Sequence, residues 1–292
     1  EAHRAGVPGV FGRNAVRKMK VAIVVPTFNY SWCYPSFMPA TNFPIGMAYL
    51  ASALKAAGHE VTGVNPNNEF RHANQKEMAD AMIRRGLDEA QPEVVCLGGL
   101  CSDYDFLKDA METVRDHRPE AAVVLGGGVV THDPRFVFQD LHPDYCVVGE
   151  GEEVLVEMLG NLNGCSGVRN VGFWRDGEAS FAPTNFDYGN LDDRAFPDFG
   201  CFGLDNPANH HVMAARYSFR YVRPDPRPWT IISARSCPFK CTFCVHSSGP
   251  KYRARSIGNL LAEIRQFHDR HQFNILLVQD ELFASNRNRM RE

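Results

Sequence analysis

The chain lacks the long apolar run that a membrane helix requires, and it lacks a large excess of charge of either sign. No apolar stretch reaches the roughly 20 residues that span a bilayer, and no segment has the form of a secretory signal peptide. Its 31 basic and 34 acidic residues give a formal net charge of −3, which supplies no electrostatic attraction to nucleic acid or to an anionic membrane. We therefore expect neither a membrane span nor a nucleic-acid partner.

The cysteine content does not suit a secreted disulfide framework. Nine cysteines are an odd number in a chain of 292 residues, and a chain of this length can bury its own core without cross-links. Reduced thiols are expected, which favours the cytoplasm. Hydrophobic residues make up 44% and charged residues 22%, as is typical of globular proteins, and the length predicts about two domains.

An alternation of short apolar runs with helix-compatible stretches predicts an α/β fold. The β-branched, apolar runs are Val21–Val25, Val61–Val64, Val94–Leu97, Ala122–Leu125 and Tyr145–Val148. The helix-compatible stretches are Ile45–Ala57, Gln75–Ala90, Asp105–His117, Pro134–Leu141 and Glu152–Leu162. Such alternation is typical of a parallel sheet that is covered on both faces. Five units predict one doubly wound, Rossmann- or flavodoxin-like domain over residues 19–165, preceded by a tail of residues 1–18.

The remaining chain is predicted to form a linker and a second α/β segment. Residues 166–228 are rich in proline, and they include a predicted hairpin in which two short strands flank the turn pair Asp176-Gly177. The predicted hairpin strands are Val171–Arg175 and Glu178–Phe181. Over residues 229–292 the α/β rhythm resumes.

The second α/β segment is predicted to contain a strand, a cysteine-rich loop, a helix and a further strand. The strands are Thr230–Ser233 and Asn274–Gln279, and the helix is Asn259–His271. Its periodicity predicts a single apolar helix face. The residues on that face are Leu260, Leu261, Ile264, Phe267 and His271.

Three cysteines lie on one short loop with a spacing that suits an iron–sulfur cluster. Cys237, Cys241 and Cys244 form a C-x3-C-x2-C motif between the predicted strand and helix. Three thiolates can ligate three irons of a [4Fe–4S] cluster, which leaves the fourth iron open to another ligand. Two alternatives stay open: a zinc site completed by His246, and cysteines that hold no metal.

The motif resembles the signature of radical S-adenosylmethionine (SAM) enzymes, in which an aromatic residue precedes the last cysteine as Phe243 does here. The resemblance implies that the three cysteines are the cluster ligands and that Phe243 lies beside the adenine of SAM. It also implies that one electron cleaves SAM to a 5′-deoxyadenosyl radical. Ser236 stands where relatives often have glycine.

The same resemblance extends to the acidic end of the second barrel strand. Asp280 and Glu281 match this position, and Glu281 is expected to point into the active site as a catalytic residue. Exposed carboxylates or a helix N-cap remain alternatives for the two side chains. The matched part covers only residues 229–292, the first part of a partial (β/α) barrel. We therefore expect the chain to be incomplete at its C-terminus, because so small a part of a barrel exposes sheet edges.

Three predicted strands of the first domain are followed by loops rich in glycine, and these loops predict a cofactor face. Their candidate cofactor-binding residues are Gly98, Gly99, Ser102, Gly126, Gly127, Gly128, Gly149, Glu150, Gly151 and Glu152. Doubly wound sheets bind ligands at the carboxyl ends of their strands, and glycine permits close approach to the backbone. Tight turns without a ligand are the alternative. The first strand lacks a following G-x-G-x-x-G motif, which argues against NAD.

The order and spacing of these loops resemble the cobalamin-binding domain that precedes many radical SAM barrels. The matching stretches are Pro44–Ala51, Gly58–Val61, Val124–Gly127 and Val148–Glu152. The resemblance implies a bound cobalamin. Because the D-x-H-x-x-G motif is absent, we expect no protein histidine on cobalt. Tyr30 or Trp32 is a candidate to cover the lower face of the cofactor, and the alternative is that both are ordinary loop aromatics.

Together, these resemblances imply a cytoplasmic, cobalamin-dependent radical SAM enzyme. They favour methyl transfer to an unactivated carbon of a small molecule, with electrons from a reductant such as flavodoxin or ferredoxin. Radical cyclisation or rearrangement without methyl transfer is one alternative, and a non-catalytic module that binds cobalamin or a cluster is another. In each enzyme reading the cofactors supply the reactivity, and the protein binds and orients them.

Overall fold

Among the residues that the structure describes, seven strands form one sheet, and four more lie in the C-terminal part. The computed structural model describes residues 17–27, 43–69, 75–212, 223, 225–283 and 286–292. The strands are β1 (Lys20–Val24), β2 (Glu60–Val64), β3 (Val94–Gly98), β4 (Ala122–Gly126), β5 (Tyr145–Val147), β6 (Val171–Arg175), β7 (Glu178–Phe181), β8 (Pro228–Ile231), β9 (Ala234–Arg235), β10 (Arg253–Ala254) and β11 (Ile275–Val278). The α-helices are α1 (Ile45–Ala56), α2 (Gln75–Ala90), α3 (Tyr104–His117), α4 (Gly128–His132), α5 (Pro134–Leu141), α6 (Glu152–Gly160) and α7 (Ile257–His271). Tyr30, Trp32 and most of the predicted tail lie outside the described residues.

The large sheet has the strand order β2-β1-β3-β4-β5-β6-β7. Its first five strands are parallel, and β6 and β7 are antiparallel additions at one edge. The order reverses between β1 and β3, which is the switch point at which a doubly wound sheet opens a crevice for a ligand. The predicted α/β, doubly wound fold class is therefore confirmed.

Apolar layers cover both faces of the sheet, as the side-chain alternation of β1 requires. Val21 and Ile23 belong to the layer that also holds α1 and α6, whereas Ala22 and Val24 face the layer of α2, α3 and α5. All five residues of β3 are buried, as expected for a central parallel strand.

The predicted hairpin is present, and it continues the sheet. Strand β6 pairs antiparallel with β5, and β7 pairs with β6. Asp176 and Gly177 both have positive φ, 53° and 81°, which is the backbone conformation that a tight type I′ turn needs. Sheet pairing therefore runs to Phe181, and the irregular connecting segment begins only after it.

The C-terminal segment contains a β-α-β unit that packs against the α1 side of the first sheet. Strands β8 and β11 are parallel, with α7 between them. Phe199 of the connecting segment joins the two parts, since its ring lies 5.9 Å from Phe43, 5.1 Å from Trp229 and 5.3 Å from Phe267. Full burial of such a side chain stabilises a fold by about 1.5–3 kcal/mol.

Helix α7 differs from its predicted face at one position. Leu261 is 41% exposed, so its assignment to the buried face is wrong. Glu263 is instead fully buried, and its carboxyl group lies 2.6 Å from Arg255, so the helix buries a titratable side chain beside an arginine. None of the helices in the described part of the chain is long and apolar enough to cross a bilayer.

Candidate functional site

The loops after β3 and β4 meet backbone to backbone at the carboxyl edge of the sheet. A Cβ atom on Gly98 would lie 3.0 Å from the carbonyl oxygen of Gly126. One on Gly127 would lie 2.7 Å from the carbonyl oxygen of Gly99. Four of the predicted cofactor-binding glycines are therefore brought together, and their closeness depends on the missing side chains. Ser102 is exposed on the same β3 loop, beside Asp103, whose carboxylate accepts the Leu100 N–H at 2.8 Å.

Two side chains that the sequence did not single out tie the β5 loop to this edge. The Gly149 N–H donates to the Thr131 hydroxyl at 2.9 Å, and that hydroxyl donates to the Gly127 carbonyl at 3.0 Å. The Glu150 N–H donates to the Tyr188 hydroxyl oxygen at 2.8 Å. Thr131 therefore bridges the β4 and β5 loops, and Tyr188 brings the connecting segment onto the β5 loop. Neither residue belongs to a recognisable local motif.

The carboxylates of the β5 loop are buried and paired with arginines. Glu152 forms an ion pair with Arg235 at 2.5 Å, and Glu150 pairs with Arg235 at 3.0 Å and with Arg253. Burial acts to raise the pKa of Glu152, but the guanidiniums of Arg235 and Arg194 outweigh it and hold the pKa below its ordinary value.

The three motif cysteines lie on a loop without regular structure between β9 and β10. Cys237 is partly exposed, Cys241 and Cys244 are exposed, and all three are free thiols. The Cys244 N–H donates to the Cys241 carbonyl at 3.1 Å, and Phe243 is 89% exposed. Three accessible thiols on one short turn are the donor set that an iron–sulfur cluster takes, so the residues fit that group. Among the described residues no three His, Cys, Asp or Glu side chains converge as a metal site, so ligation requires the loop to draw its thiols together.

The base of the cysteine loop is closed by Ser236. This residue has φ of +63°, the left-handed region that favours glycine, which accounts for the glycine that relatives often have here. Its hydroxyl donates to the Gly249 carbonyl at 2.5 Å. Further along the loop, the Ser247 hydroxyl lies 3.5 Å from Nε2 of His132. The cysteine loop therefore faces the loop that follows β4.

Asp280 and Glu281 contact two different parts of the cysteine-bearing segment. Asp280 accepts the N–H groups of Ser233 and Ala234 at 2.7 and 3.0 Å, and it also accepts the Ser233 hydroxyl at 2.5 Å. Glu281 lies 2.9 Å from Nδ1 of His246. Asp280 thus fixes the link between β8 and β9, just before the cysteine loop, and Glu281 contacts the loop itself. A catalytic role for Glu281 stays a prediction.

A second buried charge network joins α1 to α7 behind the site. Arg255 pairs with Glu263 at 2.6 Å and donates to the Tyr49 hydroxyl at 3.4 Å. Arg235 lies 5.0 Å from the centre of the Tyr49 ring, a cation–π distance. Tyr49, on the first sheet's helix α1, is therefore in contact with charged residues at both ends of the cysteine-bearing segment.

The buried Glu263 predicts a specific pH dependence of stability. Burial raises its pKa from 4.5 to about 7, although Arg255 and the Tyr49 hydroxyl act against the shift. The folded state therefore retains a proton that the unfolded state loses, so this stabilisation is complete below about pH 4.5 and is lost as the pH rises through about 7. We expect wild type to lose about 2–3 kcal/mol more unfolding free energy than Glu263→Gln between about pH 5 and 8.

Urea unfolding at a series of pH values checks this expectation. Glu178→Gln, which removes an exposed carboxylate, serves as the control and should keep the wild-type pH profile. Parallel profiles for wild type and Glu263→Gln would contradict the expected proton uptake.

Comparison with known proteins finds a family model over the first part of the chain. Residues 39–159 match the family model of the B12 binding domain. The chain is 25% identical to cytidylyl-2-hydroxyethylphosphonate methyltransferase of Streptomyces wedmorensis, over 87% of this chain and 54% of that protein. It is 26% identical to the anaerobic magnesium-protoporphyrin IX monomethyl ester cyclase of Cereibacter sphaeroides, over 85% of this chain and 39% of that protein. The chain thus spans about half or less of the length of these relatives.

A solved structure shares the fold. It is the radical S-adenosylmethionine methyltransferase TsrM of Kitasatospora setae, with cobalamin and a [4Fe–4S] cluster bound. The TM-score is 0.66 at 16% identity, and the match covers 94% of this chain and 51% of that one. The common fold therefore includes the sheet, the connecting segment and the cysteine-bearing segment.

Proposed function

We propose that this chain, which resembles cobalamin-binding radical SAM methyltransferases in sequence and fold, takes part in radical methyl transfer to an unactivated carbon of a small molecule. The chain binds cobalamin, a [4Fe–4S] cluster and SAM in this proposal. It works in the cytoplasm and receives electrons from a reductant such as flavodoxin or ferredoxin. The resemblance that the sequence indicates is confirmed, and the reaction itself is the proposal.

The observation that carries the proposal is the contact between the cysteine loop and the glycine-rich edge. Ser247, three residues after Cys244, lies against the β4 loop, where its hydroxyl would be 3.4 Å from a Cβ on Gly128. At the other end, Arg235, two residues before Cys237, pairs with the β5 loop. A cluster on the one loop and a cobalamin on the other edge would therefore share one cleft, as a reaction that uses both cofactors needs.

The residues of the chain have separate tasks in this proposal. Cys237, Cys241 and Cys244 hold the cluster, and Phe243 lies beside the adenine of SAM. The backbone of the glycine loops contacts cobalamin in this proposal, since glycine permits close approach to the backbone. When bound, the cluster and SAM supply the radical that activates the substrate carbon, and cobalamin supplies the methyl group. Glu281 orients the His246 ring beside the cysteine loop through Nδ1.

Cobalamin uptake tests the first half of the proposal. Purified chain mixed with hydroxocobalamin and separated by gel filtration should retain about one cobalamin per chain, seen by its visible absorption. Replacing all three motif cysteines by serine should leave this uptake unchanged, because the glycine edge lies on a different part of the chain. Wild type that emerges colourless would refute cobalamin binding and leave only the radical SAM assignment.

A second reaction deserves a test because one relative is named a cyclase. Radical cyclisation without methyl transfer uses the same cysteine loop, so the residues described above do not separate the two reactions. The mass of the product separates them. A gain of one CH2 supports methyl transfer, and substrate consumption without that gain supports cyclisation or rearrangement.

A further inference from the structure

The cysteine loop connects two paired strands, and each strand has a largely buried arginine next to the loop. Strands β9 and β10 are antiparallel, and Arg235 is directly opposite Arg253 in the register. The chain enters the loop after Arg235 and leaves it at Arg253, and the three cysteines lie between these two residues. Whatever holds this arginine pair also holds the base of the cysteine loop.

Both arginines bind carboxylates in the segment that joins β5 of the large sheet to α6. Arg235 reaches Oε2 of Glu150 at 3.0 Å and Oε1 of Glu152 at 2.5 Å, and Arg253 binds Oε1 of Glu150. The four side chains are between 4% and 10% exposed. Charge-assisted, forked contacts of this kind fix geometry as well as adding energy.

The contacts engage three of the four carboxylate oxygens of Glu150 and Glu152. Both oxygens of Glu150 face arginines, and Glu152 faces Arg235 with Oε1. A buried ion pair is costly to desolvate, so its best-attested benefit is the specification of one arrangement rather than net stability. The arrangement specified here is that of the cysteine loop against the β5 loop.

We infer that Glu150 and Glu152 are positioning residues that act through Arg235 and Arg253 to set the place of the cysteine loop relative to the glycine-rich edge. The inference rests on the proposed function in one respect: it gives this spacing a purpose, the separation between the two cofactors. The geometric part, a carboxylate that controls a cysteine 85 positions further along the chain, is independent of any cofactor.

Thiol reactivity in the metal-free, cofactor-free chain tests the geometric part. We expect Glu152→Gln to speed alkylation of the partly exposed Cys237 by iodoacetamide at least about tenfold. A tenfold increase corresponds to a decrease of about 1.4 kcal/mol in the free energy of opening the loop. Mass spectrometry of the peptides gives the rate for each cysteine. Exposed Cys101 should keep its rate, and buried Cys96 should stay unmodified, which shows that the sheet is intact.

Glu153→Gln is the matched control. Glu153 pairs with Arg169 at 3.0 Å and with Arg194 at 2.8 Å, and neither arginine lies in the cysteine-bearing segment. Arg194 lies 4.0 Å from Oε2 of Glu150, so this variant also shows what a change beside the network does when the contacts of Arg235 and Arg253 are kept. This variant removes the same charge one residue away and should leave Cys237 at its wild-type rate. Equal Cys237 rates in wild type and Glu152→Gln, or an equal acceleration by Glu153→Gln, would overturn the inference.

A double-mutant cycle adds a readout that a general loss of stability does not reproduce. Arg235→Met combined with Glu152→Gln should react no faster at Cys237 than Arg235→Met alone, because the two side chains share one contact. If Glu152→Gln makes Cys96 reactive, Arg235→Lys is used in its place, because it keeps the charge but loses the forked geometry of arginine. We then expect a Cys237 alkylation rate between those of wild type and Arg235→Met. Additive effects in the cycle would contradict coupling.

After anaerobic iron reconstitution, a changed electron paramagnetic resonance signal in Glu152→Gln and an unchanged one in Glu153→Gln would extend the result to the cluster.

Discussion

Cys241→Ala is expected to abolish iron binding. Anaerobically reconstituted wild type should hold about four irons per chain, since three thiolates with one open corner are the ligand set of a [4Fe–4S] cluster. Cys241 is exposed on the loop between β9 and β10, so the change removes a ligand without opening a cavity in the core. Iron and acid-labile sulfide analysis, together with the visible spectrum, measures the loss.

The control for this result is another exposed thiol. Cys101→Ala removes a free cysteine from the β3 loop, outside the motif, and should retain about four irons. Wild type that binds a single zinc ion instead would contradict the cluster and support the alternative in which His246 completes a tetrahedral site. Because His246 holds its Nδ1 against Glu281, Nε2 is the atom that zinc would use.

Gly127→Ala is expected to cause a large loss of stability at the glycine-rich edge. Gly127 has φ of 86° and ψ of −170°, a region that is essentially confined to glycine. An added methyl group would also lie 2.7 Å from the carbonyl oxygen and 2.9 Å from the nitrogen of Gly99, and backbone atoms cannot move aside as a side chain can. Strain and overlap together should cost about 3–5 kcal/mol of unfolding free energy.

Gly58→Ala separates the two causes. Gly58 has φ of +93°, yet nothing lies within 4 Å of the added Cβ, so only the backbone strain of about 1–2 kcal/mol applies. Denaturant unfolding of the two variants should therefore differ by about 2 kcal/mol or more. The cobalamin absorption retained by Gly127→Ala should also fall, while that of Gly58→Ala should not. Equal losses of stability would show that the β3 and β4 loops do not press on each other.

Local signals sufficed for most of the elements that position the site. The predicted bounds of α2, α5 and the β6–β7 hairpin agree with the structure to the residue. Two of them have a strong local cause: Pro134 begins α5, and Asp176-Gly177 turns the hairpin. The C-x3-C-x2-C spacing is likewise local, so the cysteines could be selected as candidate ligands without knowledge of the fold.

Long-range partners explain what sequence reasoning missed. Helix α4 begins among three glycines, which predict a loop, and the Val129 N–H is held by the carbonyl of Gly99 at 3.1 Å. Arg235 has no local feature that separates it from a surface arginine, and its partner Glu152 lies 83 residues earlier. Thr131 and Tyr188 are comparable cases. Such residues become visible only when the fold brings distant segments together.

The aromatic packing around Phe199 limits how freely the two halves of the chain can be exchanged. A flexible tether tolerates insertions at little cost, because loop entropy grows slowly with length. Phe199 belongs to the segment between the halves, yet its ring packs against Phe43, Trp229 and Phe267. Grafting either half onto a foreign partner would therefore strip it of part of its own interior. Recombination between related proteins should preserve the segment together with both neighbours, so that the three parts are inherited as one unit.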